Sequence, residues 1–478
     1  MINATPRHSR IALFMLALLA SFVAPFTARA SQPASQVSTL QSRVDAAAPG
    51  DTIEVAPGFY PGLLRLTKPL RLIGQGRPVL DAMGHGDVVE ITGENVTLSG
   101  FVIRGTGADL DGENVGIRVL AKGATIESNE LVDVLFGIDC KNAPRCTIRS
   151  NTIGGKDLDI ARRGDAIRLW RSDYALVESN TIRDGRDAIL WYSNYVVVRN
   201  NTCQRCRYGF HLMNSTNITI EDNILEGNSV GVYFMYSSDI ILRNNQINRN
   251  RGPSGYGIGL KDSDAYTIDN NFIAANRVGI YLDNSPVLRS RHALITHNTL
   301  ATNDIGMNFL PSVKGNTLAL NSFIDNFEQV AVLGRGELTQ NEFDIDGRGN
   351  FWSDYAGYDL DSDSIGELSY ESRKLFENMT AREPKLRLWL FSPAQEAIEF
   401  VARALPAVQP EPRFEDLYPL VQPAGCTLVS GHAASPATMV WCALALLSIA
   451  ASLLALAIGP ALLPSRAPTT SLAPGLPS

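Results

Sequence analysis

A 3.6-residue apolar period is missing from the long middle of this chain, and its absence excludes helical repeats there. Positive charge is also in short supply. The 42 Lys and Arg are outnumbered by 49 Asp and Glu, and a net charge of −7 gives no reason to expect a nucleic-acid partner. Histidine is scarce, with six in 478 residues, and His292 and His297, which flank an expected strand, are too few to define a site. Cysteine is equally scarce. Six Cys are compatible with disulfides outside the cytoplasm, but Cys140, Cys146 and Cys203 fall in inward apolar slots of a repeat. Cys203-x-x-Cys206 therefore reads as core packing or a local disulfide ahead of redox or metal chemistry.

What is present in abundance is one short phrase, Asn followed two positions later by an apolar residue. It appears at Asn129, Asn151, Asn180, Asn201, Asn223, Asn245, Asn271, Asn298, Asn321 and Asn341, at intervals of 20 to 29 residues. A near-fixed period of this size marks a solenoid. Three residues before each Asn stands Ile, Val or Leu, and about eight after it comes a small residue followed by an alternating pair, as in Gly209-Phe-x-Leu212 and Gly231-Val-x-Phe234. Alternation of period two, broken by Asn, Gly, Ser and Asp, reads as short strands joined by turns. The fold class is thus all-β, a right-handed parallel β-helix over residues 31–348 in which the Asn side chains stack as a ladder. A second Asn column is expected at Asn228, Asn250, Asn276, Asn303 and Asn326. Extra residues at Gly154 to Arg163 and Arg251 to Ser254 fall between the same two strands, so loops should protrude from one side.

The ends carry other signals. Arg7 and Arg10 precede an apolar run, and Ala28-Arg-Ala30 offers a small-x-small cleavage site, so residues 1–30 read as a secretory signal. Val37, Leu40 and Val44 share one face of a short helix that should cap the first coil. Residues 349–405 read as a C-terminal cap with an acidic loop and amphipathic helices, one starting at the capping box Ser392-Pro-Ala-Gln395 and lined by Ile398, Val401 and Leu405. A Pro-rich linker, 406–436, should lead to an uncharged segment at 437–463 that is long enough to cross a bilayer, with a tail at 464–478.

Two sets of residues carry candidate chemistry. Counting from the small residue of each coil, every second position points outward, which places Trp170, Leu190, Tyr192, His211, Met213, Tyr233, Met235 and Tyr281 in one external column. An apolar strip on a solvated face needs cover. Partner docking, an inserted loop, or copper held by His211, Met213 and Met235 would each account for it, since imidazole and thioether suit Cu(I). In the cap, Asp359, Asp361 and Asp363 supply carboxylates at the spacing used in calcium loops, although Ser364 stands at the turn position and the loop is no EF-hand.

The β-helix followed by Gly349-Asn-Phe-Trp-Ser-Asp-Tyr355, then Asp359-x-Asp-x-Asp-x-Ile-Gly366, then Lys385 to Pro393, resembles the NosD family of periplasmic nitrous oxide reductase maturation proteins. The resemblance covers about residues 35–423, with departures at Ser364 and Glu367. It implies a non-enzymatic periplasmic factor that works with an ABC transporter, permease and ATPase, and with apo nitrous oxide reductase in assembling a copper centre. The C-terminal span would add an inner-membrane anchor, and Ile398, Val401 and Leu405 a docking surface. A β-helix can equally carry a polysaccharide lyase, an epimerase or a sugar-binding module, because function sits in sites placed on a fold. A lyase needs a base in a charged groove, and Arg168, Arg186, Lys261 and Asp283 are the nearest candidates.

Overall fold

The computed structural model describes residues 35–424, apart from 289–291, 335, 372–373, 390–391 and 409. The expected signal (1–30) and membrane span (437–463) lie outside these residues. Among the described residues no helix is long and apolar enough to cross a membrane.

Three parallel sheets of 12, 13 and 12 strands run through residues 52–352, and within each sheet neighbouring strands lie three places apart in the chain, save for the last pair of the 13-stranded sheet. Each coil therefore contributes one strand to each sheet. In one coil these are Thr216–Glu221, Ile224–Glu226 and Val230–Met235. Inward residues alternate with outward ones, and Ile218, Ile220, Leu225, Val232 and Phe234 from this coil are all fully buried. Period-two apolar patterning thus becomes a single core column.

The corner between the first and second sheets explains the Asn phrase. The residue before each ladder Asn, from Ser128 to Leu320, has a left-handed backbone with φ between +52° and +58°. That conformation costs a non-glycine residue roughly 1–2 kcal/mol. It turns the chain sharply and leaves the N–H of the next residue without a sheet partner, a debt that the neighbouring coil settles. Asn201 donates its backbone N–H and its Nδ2 to Asn223 Oδ1 at 2.8 and 3.0 Å, and Asn223 Nδ2 donates onward to Asn245 Oδ1 at 3.0 Å. The second column behaves alike, with Asn228, Asn250, Asn276, Asn303 and Asn326 bonded in series.

One rung differs from expectation. Asn321 donates to Asn350 and not to Asn341, because Phe351–Trp352 pairs in parallel with Ser322 and Phe323 and extends the β-helix past 348. Asn341 instead accepts from Asn316 in the column at a different corner. Serines fill the earlier rungs of that column. Ser172, Ser193, Ser215, Ser237, Ser263 and Ser285 each accept with Oγ the backbone N–H of the residue one coil earlier.

The ends are closed as the aggregation argument requires. Helix α1 (Ser35–Ala46) buries Leu40 and Val44 against the first coil. At the other end α2 (Leu375–Arg382) packs on the last strand of the third sheet, and α3 (Pro393–Ala404) begins at Ser392, whose side chain accepts from Gln395 N. Residues 406–424 are not a free linker, since Phe414 and Asp416 are buried and Glu415–Asp416 pairs with Tyr370–Glu371. Phe414 stacks on Phe343, which supplies an apolar reason for this segment to fold back.

Candidate functional site

The outer face of the third sheet is the part of the surface where residue chemistry changes along the stack. Register places Arg118, Asp139, Arg168, Ile189, His211, Tyr233, Gly259 and Tyr281 in one outward column. A second column, two residues on, runs Trp170, Trp191, Met213, Met235, Lys261 and Asp283. Charge occupies the first coils and returns with Lys261 and Asp283 in the last, and aromatics, Met and His lie between.

One expected member is misplaced. Leu190 points inward, 2% exposed and paired between Leu169 and Leu212. A register irregularity between Asp187 and Ile189 shortens this coil by one residue against its successor, and a one-residue slip exchanges the two faces. Trp191 therefore takes the outward place. Its ring meets Trp170 edge-on at 4.5 Å, and Tyr192, at the following corner, lies 5.6 Å from Trp170. Trp191 Nε1 has no hydrogen-bond partner among the described residues.

At the centre of the strip the side chains converge. His211 Nδ1 lies 3.2 Å from Asp187 Oδ2, and His211 Nε2 lies 3.2 Å from Met235 Sδ. Met213 is the register neighbour of Met235 on the adjacent strand. Tyr208 meets the imidazole edge-on at 4.9 Å and Tyr233 is 6.3 Å away. Tyr256 and Tyr281 stack at 4.3 Å and lead to a buried outer seam of Val278, Ile305 and Ala331 next to α2. Burial tends to raise the Asp187 carboxyl, but hydrogen bonds from His211 and Arg207 outweigh it and hold the group below the usual carboxylate range. Burial raises Tyr208 and Tyr233 and pushes Tyr281 up to about 12, so these phenols stay neutral at physiological pH. Among the described residues, loops cover the earlier coils of this face, where Leu110 and Leu158 pack on Val115, Leu135 and Phe136. From Trp170 to Tyr281 the strip is half-buried to exposed, apart from buried Ile189, His211 and Gly259. His211, Met213 and Met235 are therefore the side chains that could hold a soft metal ion.

The candidates for a lyase base have other partners. Arg168 forks onto Asp139 (Nε to Oδ1, Nη2 to Oδ2, both 2.8 Å) and onto Glu113 (2.8 and 2.9 Å), and Arg186 is paired with Asp165 at 2.9 Å. Lys261 and Asp283 are register neighbours at the far end of the strip. The hydrogen bonds from Arg168 hold Glu113 below its ordinary value. A depressed carboxyl contributes stability that is fully present above its unfolded value, about 4.5, and is lost as pH falls through the folded value. Urea midpoints measured from pH 7 to pH 3 should fall on the acid side, and Glu113→Gln should flatten part of that fall; parallel curves for the two proteins would contradict the assignment.

The cysteine pairs are buried free thiols. Burial raises Cys203 well above the usual thiol value and Cys206 up to about 12, so neither presents the thiolate that metal or redox chemistry needs. In the cap, Asp359, Asp361 and Asp363 bring carboxylate oxygens within 4.8 Å of one another and could hold a hard cation. They also accept backbone N–H groups of their own loop, among them Ser362 N at 2.7 Å and Ile365 N at 2.7 Å. On α3, Val401 and Leu405 are exposed together with Phe400, whereas Ile398 is half-buried. The two protruding segments border a shallow depression of about 340 Å³ where Arg205 pairs with Asp184, Arg249 with Glu226 and Arg251 with Asp304, and Arg163 donates to backbone carbonyls.

Two residues of the site escaped the sequence reading. The count that places Leu190 outward places Trp191 inward, and the same register slip reverses both. Asp187 carries no motif, and its only signal is that it lies 24 residues, one coil, before His211.

Residues 149–357 match the family model described as "Periplasmic copper-binding protein (NosD)". The chain is 31% identical over 395 residues to a Pseudomonas aeruginosa protein named "Probable ABC transporter binding protein NosD", covering 77% of this chain and 87% of that one. It is 26% identical over 394 residues to the protein of the same name from Stutzerimonas stutzeri, covering 76% and 85%. Among solved structures it is similar to PfbA, a surface adhesin of Streptococcus pneumoniae, with 13% identity, a TM-score of 0.48, and 63% and 89% of the two chains covered. It is also similar to the A-module of the Azotobacter vinelandii mannuronan C-5 epimerase AlgE6, with 14% identity, a TM-score of 0.42, and 65% and 94% covered.

Proposed function

Because the chain belongs to the NosD family, we propose that it acts in the periplasm as a non-enzymatic assembly factor, working with an ABC transporter to mature the copper centre of nitrous oxide reductase. The observation that carries this reading is the outward strip. A strip that is apolar, aromatic and contiguous over the coils from Trp170 to Tyr281, and that encloses one imidazole and two thioethers, suits a surface that grips a protein and handles Cu(I) as cargo.

Each part of the molecule has a role in this reading. The stacked Asn and Ser columns make the scaffold stiff, so side chains from successive coils keep fixed spacings of about 4.8 Å. His211, Met213 and Met235 would receive the ion, and the half-buried neutral phenols around them add no charge to the site. Trp170, Tyr192 and Tyr233 would seat apo nitrous oxide reductase. Val401 and Leu405 on α3, with Ile398 behind them, form an apolar surface suited to the transporter permease. The name of the Pseudomonas aeruginosa relative, an ABC transporter binding protein, supports that assignment.

The double variant Tyr192→Ala/Tyr233→Ala removes two rings from the strip without touching the inward column. Copper loading of the reductase in cells should fall at least tenfold, while the circular dichroism and melting of the variant stay close to those of the parent. Full copper loading with an intact fold would rule the strip out as the docking face.

A further inference from the structure

Asp187 lies at the back of the strip, fully buried, and grips Arg207 with both oxygens: Arg207 Nε donates to Oδ1 at 2.8 Å and Nη2 donates to Oδ2. The guanidinium in turn lies over the Tyr208 ring at 4.6 Å, and that ring meets His211 edge-on. Arg207, Tyr208 and Asp187 thus fix one another and leave Oδ2 facing His211 Nδ1 at 3.2 Å. An ionised carboxylate can only accept, so Nδ1 must carry the hydrogen, and in a neutral imidazole Nε2 is then bare. Bare Nε2 points at Met235 Sδ from 3.2 Å. A thioether has no hydrogen to give, so two lone-pair donors face each other, although the flexible, half-buried Met235 side chain could turn away. A cation accepted by both resolves that opposition.

We propose that Asp187 is the positioning residue of this site: it holds His211 in the Nδ1–H tautomer so that Nε2 and Met235 Sδ together present a nitrogen and a sulfur donor to a soft monovalent metal ion. The proposal rests on the copper reading above and adds to it the residue that sets the geometry and the charge state of the metal. A neutral imidazole with thioethers brings no anionic donor to the ion, which favours Cu(I) over Cu(II) or Zn(II). Asp187 touches no metal itself, and its effect passes through the ring it orients.

Asp187→Asn separates orientation from shape. The Asn carbonyl must still face Arg207, which turns its NH2 toward His211 Nδ1. The ring is then driven to the Nε2–H tautomer, which cannot ligate, much as an Asp→Asn change fixes the wrong tautomer in a serine protease triad. Cu(I) affinity of the full chain, measured by competition with a chromogenic Cu(I) chelator, should fall by about tenfold to a hundredfold in this variant. Long-range 1H–15N correlation of histidine-labelled protein, with His211 assigned by its loss in His211→Gln, should show hydrogen on Nδ1 in the parent and on Nε2 in Asp187→Asn. The parent spectrum keeps the test decisive even where the variant folds poorly. Hydrogen on Nε2 of the metal-free parent at pH 7, or unchanged Cu(I) affinity in a folded Asp187→Asn, overturns the positioning role and leaves the copper reading standing. A parent that binds Cu(I) no better than His211→Ala/Met235→Leu overturns the copper reading itself, and this proposal with it.

Discussion

Asp416→Ala should open the C-terminal coils while leaving the middle of the stack intact. The Asp416 carboxylate is the last acceptor of the main Asn ladder: Oδ2 takes Asn350 N at 2.8 Å, Asn350 Nδ2 at 3.3 Å and Trp352 Nε1 at 2.9 Å, and Oδ1 takes Tyr418 N at 3.1 Å. Every Asn from 129 to 350 donates toward this end, so the amide dipoles align and their positive end meets a fixed negative charge. Asn350 Nδ2 keeps Leu318 O at 2.8 Å and Phe343 O at 3.0 Å, but truncation leaves three donors, Asn350 N, Trp352 Nε1 and Tyr418 N, in or near a dry core, at about 1–3 kcal/mol for each donor that water fails to reach. About 4 kcal/mol of local opening free energy should be lost. Because each repeat is held by its nearest neighbours, the loss belongs to residues 317–352 and not to the whole array. Native-state hydrogen exchange reads this directly: protection in 317–352 should drop by about three powers of ten, with residues 130–200 unchanged. Asp416→Asn keeps an oxygen for the three donors on Oδ2 and should recover more than half of the loss. Equal losses for Ala and Asn would show that charge and not acceptor geometry matters, and no loss would remove Asp416 from the ladder.

The second large effect lies at the other end of the functional face. Arg168 closes four hydrogen bonds, two to Asp139, which has no exposed surface, and two to Glu113. In Arg168→Ala, Asp139 keeps only Arg118 Nη1 at 3.0 Å, and removing one partner of a buried ion pair costs about 3–5 kcal/mol. With Arg118 still in place the lower end is expected, about 3 kcal/mol, again local to the coils concerned. Glu113 would lose its two hydrogen bonds from Arg168 and keep only the longer Lys141 pair at 3.8 Å and its carbonyl's bond from Arg118, so the segment 107–113 should become the first site of limited proteolysis. Arg168→Lys keeps the charge but not the planar fork, and should fall between the two. A loss below about 1 kcal/mol would mean that the network is dispensable, and Arg168 would again be free for other chemistry.

These two sites show what kind of information a sequence of this type holds. The Asn phrase and the period-two apolar pairs depend on neighbours within one coil, so the strands, the inward columns and both Asn ladders could be read directly. Ser172 to Ser285 form an equally regular column that passed unnoticed, because serine is common at turns and marks no particular one. Asn341 imitates the ladder phrase through Glu342 and Phe343, and only the pairing of Phe351–Trp352 with Ser322 and Phe323 shows that Asn350 is the true rung. The Pro-rich stretch after 405 was expected to be a linker, and buried Phe414 and Asp416 make it a lid.

By itself the sequence determined the winding of the chain, because a repeated local pattern can close on its neighbours in only one way once the apolar positions must face inward. It also determined that an aromatic, sulfur and imidazole strip lies outside. Only the tertiary structure decided which residues that strip contains, since a single residue missing between Asp187 and Ile189 exchanges Leu190 for Trp191. It alone brought Asp187 to His211 and His211 to Met235, each one coil apart, because contacts between coils depend on register summed over turns and loops, which no window of sequence contains.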